Sequence, residues 1–145
     1  MLLNTPACEV GQQAPTFTLS DPDGKTYSLE SLMGEKGLLV AFIYNHCPYV
    51  QAVIDRFVAD AKLLQADGVN VVAVMSNDYR YVPVDSPTNM KKIAQQHGFP
   101  FPYLVDIHWE PPMAKKLRSL SKKWPCPMRP TGSILWQAIS LPMNL

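Results

Sequence analysis

The sequence predicts an α/β sandwich with a mainly parallel central sheet flanked by helices, and three observations carry that prediction. Residues 38–44 (Leu-Leu-Val-Ala-Phe-Ile-Tyr) and 69–75 (Val-Asn-Val-Val-Ala-Val-Met) are apolar runs without strict alternation, the pattern of strands buried on both faces. Between them, residues 48–67 switch to a helical period. A second helical segment and a third short apolar run follow, so strand, helix, strand, helix, strand reads as parallel strands joined by helical crossovers.

Taken in order, Asp21-Pro22-Asp23-Gly24 is a turn signal, because proline presets φ and glycine accepts positive φ. Residues 16–19 and 25–28 flank it as a hairpin. Ser28 is placed to cap a short helix through Leu32, with Gly34 as its end. In the long helix, Val50, Val53, Ile54, Phe57, Val58, Ala61 and Leu64 fall on one face, and Asp55, Arg56, Asp60 and Lys62 fall elsewhere. Pro48 suits its first turn, where a missing N–H costs nothing, and Gly68 stops it. Ser86-Pro87 opens the next helix, with Met90, Ile93 and Ala94 facing inward, His97 in its last turn and Gly98 closing it. Residues 102–106 form the third strand. Beyond them, residues 114–123 suit a basic helix, and residues 134–141 suit either a strand or a loose apolar tail.

At 145 residues and 47% hydrophobic, the chain is long enough for one core and too short for two. A net charge of +1 gives no global field for nucleic acid or an acidic membrane, and no apolar run approaches a membrane span. Three cysteines are too few, and odd in number, for a disulfide scaffold. The opening residues lack the basic and apolar regions of a signal peptide. A reducing, cytoplasmic setting is the expectation. The charge is nevertheless uneven: residues 1–110 carry 7 Lys/Arg and 12 Asp/Glu, whereas residues 111–145 carry 6 Lys/Arg and no acid. That last stretch also holds 6 of the 14 prolines, and all three tryptophans fall at or beyond Trp109. The break divides the chain into a domain at 1–106 and an atypical basic, Pro/Trp-rich tail at 107–145.

The chemistry concentrates at Asn45-His46-Cys47-Pro48-Tyr49-Val50, where the first long strand gives way to the long helix. A thiolate is the nucleophilic form of cysteine, and the N–H groups and partial positive charge of a helix start stabilise it. His46 can add positive charge beside it, or simply sit exposed. Cys126 is a candidate resolving thiol, and Cys8 reads as incidental. A metal site built from His46, Cys47 and a distant histidine finds no support in ligand spacing.

The stretch Val10-Gly11-Gln12-Gln13-Ala14-Pro15-Thr16-Phe17-Thr18-Leu19, followed by Asp23-Gly24-Lys25, resembles the entrance of redoxin domains, the alkyl hydroperoxide reductase/thiol-specific antioxidant (peroxiredoxin-like) family. Phe42-Ile43-Tyr44-Asn45-His46-Cys47-Pro48-Tyr49-Val50 resembles a subgroup with Asn-His-Cys-Pro-Tyr-Val at the active-site position; Met75-Ser76-Asn77-Asp78 and Gly98-Phe99-Pro100-Phe101-Pro102-Tyr103 fit it too. The resemblance implies a thioredoxin-like fold and thiol redox chemistry at Cys47. It further implies a peroxide or disulfide substrate, no bound cofactor, and an external reducing thiol such as thioredoxin or glutathione. The departures are equally informative. A dithiol site would need cysteine where Val50 stands, and a peroxiredoxin pocket would need proline and threonine or serine at Val40 and Tyr44. The family's cis-proline segment and last hairpin have no clear counterpart, because Pro125-Cys126-Pro127 comes late and no proline follows Thr131. A frame-shifted or truncated family ending is therefore expected, leaving a sheet edge exposed and the fold marginally stable or prone to associate.

Overall fold

In the computed structural model, residue 11, residues 14–106 and residues 135–140 are described. Strands are β1 (Thr18–Ser20), β2 (Thr26–Ser28), β3 (Gly37–Phe42), β4 (Val69–Met75), β5 (Tyr103–Val105) and β6 (Leu135–Ser140). Helices are α1 (Leu29–Leu32), α2 (Pro48–Ala66) and α3 (Pro87–Gln96), with a 3-10 turn at Pro83–Asp85. The described strands form one sheet in the order β2-β1-β5-β4-β3-β6. Its centre, β5-β4-β3, is parallel; the flanking pairings β1–β2, β1–β5 and β3–β6 are antiparallel. The expected parallel core is thus three strands of a mixed sheet.

The continuous apolar runs are explained by a core on both faces of that sheet. Leu39, Ala41, Val71, Ala73, Met75, Tyr103 and Val105 point to the layer containing α2 and Met90 of α3. Leu38, Val40, Val72, Val74 and Leu104 point to the opposite layer, against Leu32 of α1 and the partly buried Phe17, Leu19 and Tyr27. On α2 the buried stripe is Val50, Ile54, Phe57, Val58 and Ala61. Val53, expected on that face, is 37% exposed, so the stripe is narrower than the sequence pattern suggests.

The hairpin forms as expected. Gly24 takes φ +87°, and the Asp21 side chain accepts from the Asp23 and Lys25 backbone N–H groups, closing the turn. Ser28 caps α1 reciprocally with Ser31, and the helix runs through Leu32 as expected, with Met33 as its C-cap. Gly34 has a different role. A Cβ there would lie 2.6 Å from the Gly68 carbonyl oxygen and 2.7 Å from the Asn70 nitrogen, so two backbone segments close against it.

The tail supplies one strand. Residues 135–140 pair antiparallel with all of β3, from Gly37↔Ser140 to Phe42↔Leu135. The strand alternative for this stretch is the one realised; the strand-forming run Leu-Trp-Gln-Ala-Ile-Ser meets the main-chain groups of β3 and becomes the outer strand of the described sheet on that side. The expected basic helix at 114–123 lies outside the described residues.

Gly34→Ala should destabilise the chain by about 1–3 kcal/mol, the usual cost of overpacking where backbone cannot yield. Urea denaturation checks this, with Gly24→Ala at the open hairpin turn as the comparison for a purely conformational penalty.

Candidate functional site

The carboxyl ends of β3 and β4 deliver two loops to one side of the sheet, residues 43–47 and residues 76–85. Cys47 is the N-cap of α2 in extended conformation, φ −73° and ψ 115°, with Pro48 at the first helical position. The chain must leave β3 and enter a helix within a few residues. Asn45 makes that exit definite: its side-chain NH2 donates to the Val84 carbonyl (3.0 Å) and its Oδ1 accepts from the Tyr103 hydroxyl (3.1 Å). Gln51, one turn into α2, donates back to the Asn45 carbonyl at 2.7 Å. The Cys47 N–H donates to the Tyr44 carbonyl, and the Cys47 carbonyl accepts from Gln51 N–H as the first helical bond.

Cys47 is only 1% exposed and packs within the core cluster with Ile43, Val50 and Met75. The helix-start setting expected from sequence is present, but the sulfur-bearing residue is enclosed. His46, by contrast, has 40% of its side chain exposed. Its Nδ1 lies 2.7 Å from Asp85 Oδ2, and its backbone N–H donates to Asp85 Oδ1 at 3.2 Å. When Asp85 is ionised both of its oxygens accept, so the Nδ1 proton lies in this bond and Nε2 is the nitrogen left for other partners. Asp85 is fully buried, and Asn77 donates to the same Oδ2 at 3.0 Å. Sequence reasoning missed Asp85 and Asn77. Asp85 lies 39 residues beyond His46, in a segment whose Pro-Val-Asp-Ser-Pro pattern signals only a turn before a helix.

Two phenols complete the surroundings. Tyr44, at the position where a peroxiredoxin pocket carries threonine or serine, shares a hydrogen bond of 3.1 Å with Ser76. Burial above all holds the Tyr44 phenol above its ordinary range; the Ser76 bond works against this, while negative charge at Asp85, Cys47 and Asp106 adds to it. Tyr103 donates to the Ile43 carbonyl at 3.2 Å, stacks near Phe99, and is pushed far above the usual tyrosine range, by burial first and then by Asp85 and Tyr44. Both phenols therefore stay protonated over the physiological range. Val50, where a dithiol site would have its second cysteine, is a buried core residue.

His97, expected in the last turn of α3, is its C-cap and pairs with Asp55 of α2 at 2.6 Å. Cys8 and Cys126 lie outside the described residues. Among the described residues, no group of three His, Cys, Asp or Glu side chains is placed to hold a metal ion, and no helix is long and apolar enough to cross a membrane.

The Tyr103 phenol gives a pH prediction. The folded chain keeps it protonated to higher pH than the unfolded chain does, so the unfolded state loses its proton first. Stability is full below about pH 10 and falls as pH rises beyond that. Tyr103→Phe should flatten this alkaline loss in denaturant titrations, while costing about 1–3 kcal/mol at neutral pH through the acceptors it leaves unmet.

Comparison with known proteins places these features in a family. Residues 10–132 match the model of the AhpC/TSA family. The chain is 28% identical over 96 residues to the chloroplastic peroxiredoxin Q of Populus jackii, covering 66% of this chain and 41% of that one. It is 28% identical over 100 residues to the thiol-disulfide oxidoreductase ResA of Geobacillus thermodenitrificans (strain NG80-2), covering 69% of this chain and 53% of that one. It thus spans about half the length of these curated relatives. Among solved structures, an uncharacterized conserved protein from Geobacillus kaustophilus superimposes with a TM-score of 0.69 at 39% identity, over 79% of this chain and 61% of that chain. A helix-start cysteine after the first parallel strand, on a thioredoxin-like sheet and within a family match across most of the sequence, identifies the chain as a member of the AhpC/TSA family.

Proposed function

We propose that this chain is a thiol oxidoreductase working through the single cysteine Cys47, with thiol–disulfide exchange as its reaction and an external thiol as its reductant. The observation that carries this reading is the position of Cys47 as N-cap of a 19-residue helix begun by Pro48. The N–H groups of the first turn have no intrahelical partner there, so negative charge on the sulfur is favoured. The Cys47 thiolate attacks one sulfur of a disulfide. An Sγ–S bond forms as the substrate S–S bond breaks, and the second sulfur leaves with the electron pair. A small external thiol, such as glutathione, or a thioredoxin then attacks the mixed disulfide, returns Cys47 to the thiol and is itself oxidised. No bound cofactor enters these steps, and a reducing cytoplasmic setting suits them.

Hydrogen peroxide is the competing oxidant, taking Cys47 to a sulfenic acid. Disulfide is preferred here because Val40 and Tyr44 replace the proline and hydroxyl residue of the peroxide pocket. Cys126 as an internal resolving thiol would replace the external one.

The 1% exposure of Cys47 favours a second reading, a non-catalytic binding module on the same fold with an inert core thiol. The two part on one measurement. In a Cys8→Ser/Cys126→Ser background at pH 7, the native chain should form a one-to-one mixed disulfide with bis(2-hydroxyethyl) disulfide at least tenfold faster than the same chain in urea, and Cys47→Ser should abolish it. Native protection, with reaction faster in urea, would establish the module.

A further inference from the structure

We propose that Asp85 is a positioning residue which holds His46 as the proton donor to the sulfur that leaves Cys47's disulfide substrate. This inference rests on the reading of Cys47 as the nucleophile and names the group that completes its step.

Asp85 grips His46 at two points, its backbone N–H at 3.2 Å and its ring Nδ1 at 2.7 Å. A residue that only needed to tie the 76–85 loop to the 43–47 loop would be served by the backbone bond and by the Asn45–Val84 bond already present. The ring contact adds something else. With Asn77 fixing the same Oδ2 at 3.0 Å, the carboxyl group cannot swing with the imidazole; it dictates the plane of the ring. The Tyr44 ring, 6.0 Å away centre to centre and tilted by 30°, limits the other side. Such a fixed ring has Nδ1 committed to the carboxylate and Nε2 as its working nitrogen.

The exposures divide the labour. Cys47 is 1% exposed and the His46 side chain 40%, so of two consecutive residues the thiol is withheld from water and the imidazole meets it. Attack on an aliphatic disulfide generates a basic thiolate beside a poorly hydrated site, where an unprotonated leaving group is costly. The balance closes through water. Cys47 attacks as the thiolate, its thiol proton passed to solvent, and the His46 ring takes a proton from solvent at Nε2 while Nδ1 keeps its own. The Sγ–S bond forms as the substrate S–S bond breaks, Nε2–H passes to the departing sulfur, and the product is a Cys47 mixed disulfide plus a neutral thiol. Cys47 is oxidised, the leaving sulfur is reduced, and the Nδ1–H bond to Asp85 persists throughout.

Leaving-group dependence tests this. In the Cys8→Ser/Cys126→Ser background at pH 7, wild type, His46→Gln, Asp85→Asn and the double variant would be reacted with two reagents. Bis(2-hydroxyethyl) disulfide releases a basic thiolate; 5,5′-dithiobis(2-nitrobenzoate) releases an anion that needs no proton. Each variant should be at least tenfold slower with the first reagent and within twofold of wild type with the second, and the double variant no slower than His46→Gln alone. Equal losses on both reagents, or none on either, would overturn the role of Asp85 and leave the Cys47 reading intact. A wild-type chain inert to both would remove that reading and this one together. Should Asp85→Asn not fold, His46→Gln carries the rate comparison, since its side chain is partly exposed. Nitrogen-15 spectra of the neutral His46 ring then decide for Asp85: an Nδ1–H tautomer supports it, and an Nε2–H tautomer overturns it.

Discussion

A carboxyl group with no exposed surface has to find its donors inside the protein, and the local architecture depends on how Asp85 does so. Removing such a group from water costs several kcal/mol unless its oxygens are hydrogen-bonded. Asp85 meets that demand with the Asn77 side chain, the His46 backbone and the His46 ring. The two His46 bonds tie the segment after β4 to the segment after β3, and the Asn77 bond closes the segment after β4 on itself. Asn45 extends the tie to the Val84 carbonyl and to Tyr103 of β5, and Gln51 extends it to α2. The carboxyl ends of β3 and β4, the first residue of β5 and the start of the long helix therefore share one polar network. No buried side-chain nitrogen or oxygen among the described residues is left without a partner.

This network sits outside the carboxyl ends of the parallel strands, the place where open α/β sheets present their binding crevices. It also explains how an apolar site can hold a nucleophile in register. Cys47 belongs to one buried apolar cluster with Ile43, Val50 and Met75, and Phe99, Phe101 and Phe57 extend the cluster toward Tyr103 with ring centres 4.8–5.8 Å apart. Position and polarity are supplied by different residues. The apolar set encloses the sulfur, and the polar set orients the groups around it.

The sequence made most of the scaffold legible and only half of the site. Apolar runs bounded by turn residues placed β3, β4 and β5, because strands buried on both faces have no polar alternation to blur. Pro48 and Gly68 bracketed α2 closely, since one lacks an N–H and the other takes φ +88°. Cys47 and His46 stood out because they lie at the junction of two strong periodic signals. Asp85 did not, because its importance comes from a contact across 39 residues and its own neighbours spell only a turn. Val53 was misread for a related reason: helical period identifies a face, but not how far the neighbouring layer reaches across it. Gly34 looked like a helix terminator, whereas its lack of a side chain serves a close approach of Gly68 and Asn70, which no local pattern encodes. Residues 135–140 were ambiguous because a short apolar run needs a partner strand before its conformation is defined.

The β1–β2 hairpin pairs along its own length in three residue pairs but joins the rest of the sheet through one, Ser20↔Val105. The Leu29 N–H to Phe17 carbonyl bond extends the pairing within the hairpin, while the Lys91–Asp23 ion pair links its turn to α3 and Phe17, Leu19 and Tyr27 pack on the core. A flap joined to the sheet ladder by one residue pair forms its own unit of subglobal opening. It can lift as a body while the β5-β4-β3 ladder stays closed. Amide exchange would then run through the hairpin first, and the apolar face it covers, Leu104 and Val74 included, is the surface first wetted when the molecule breathes.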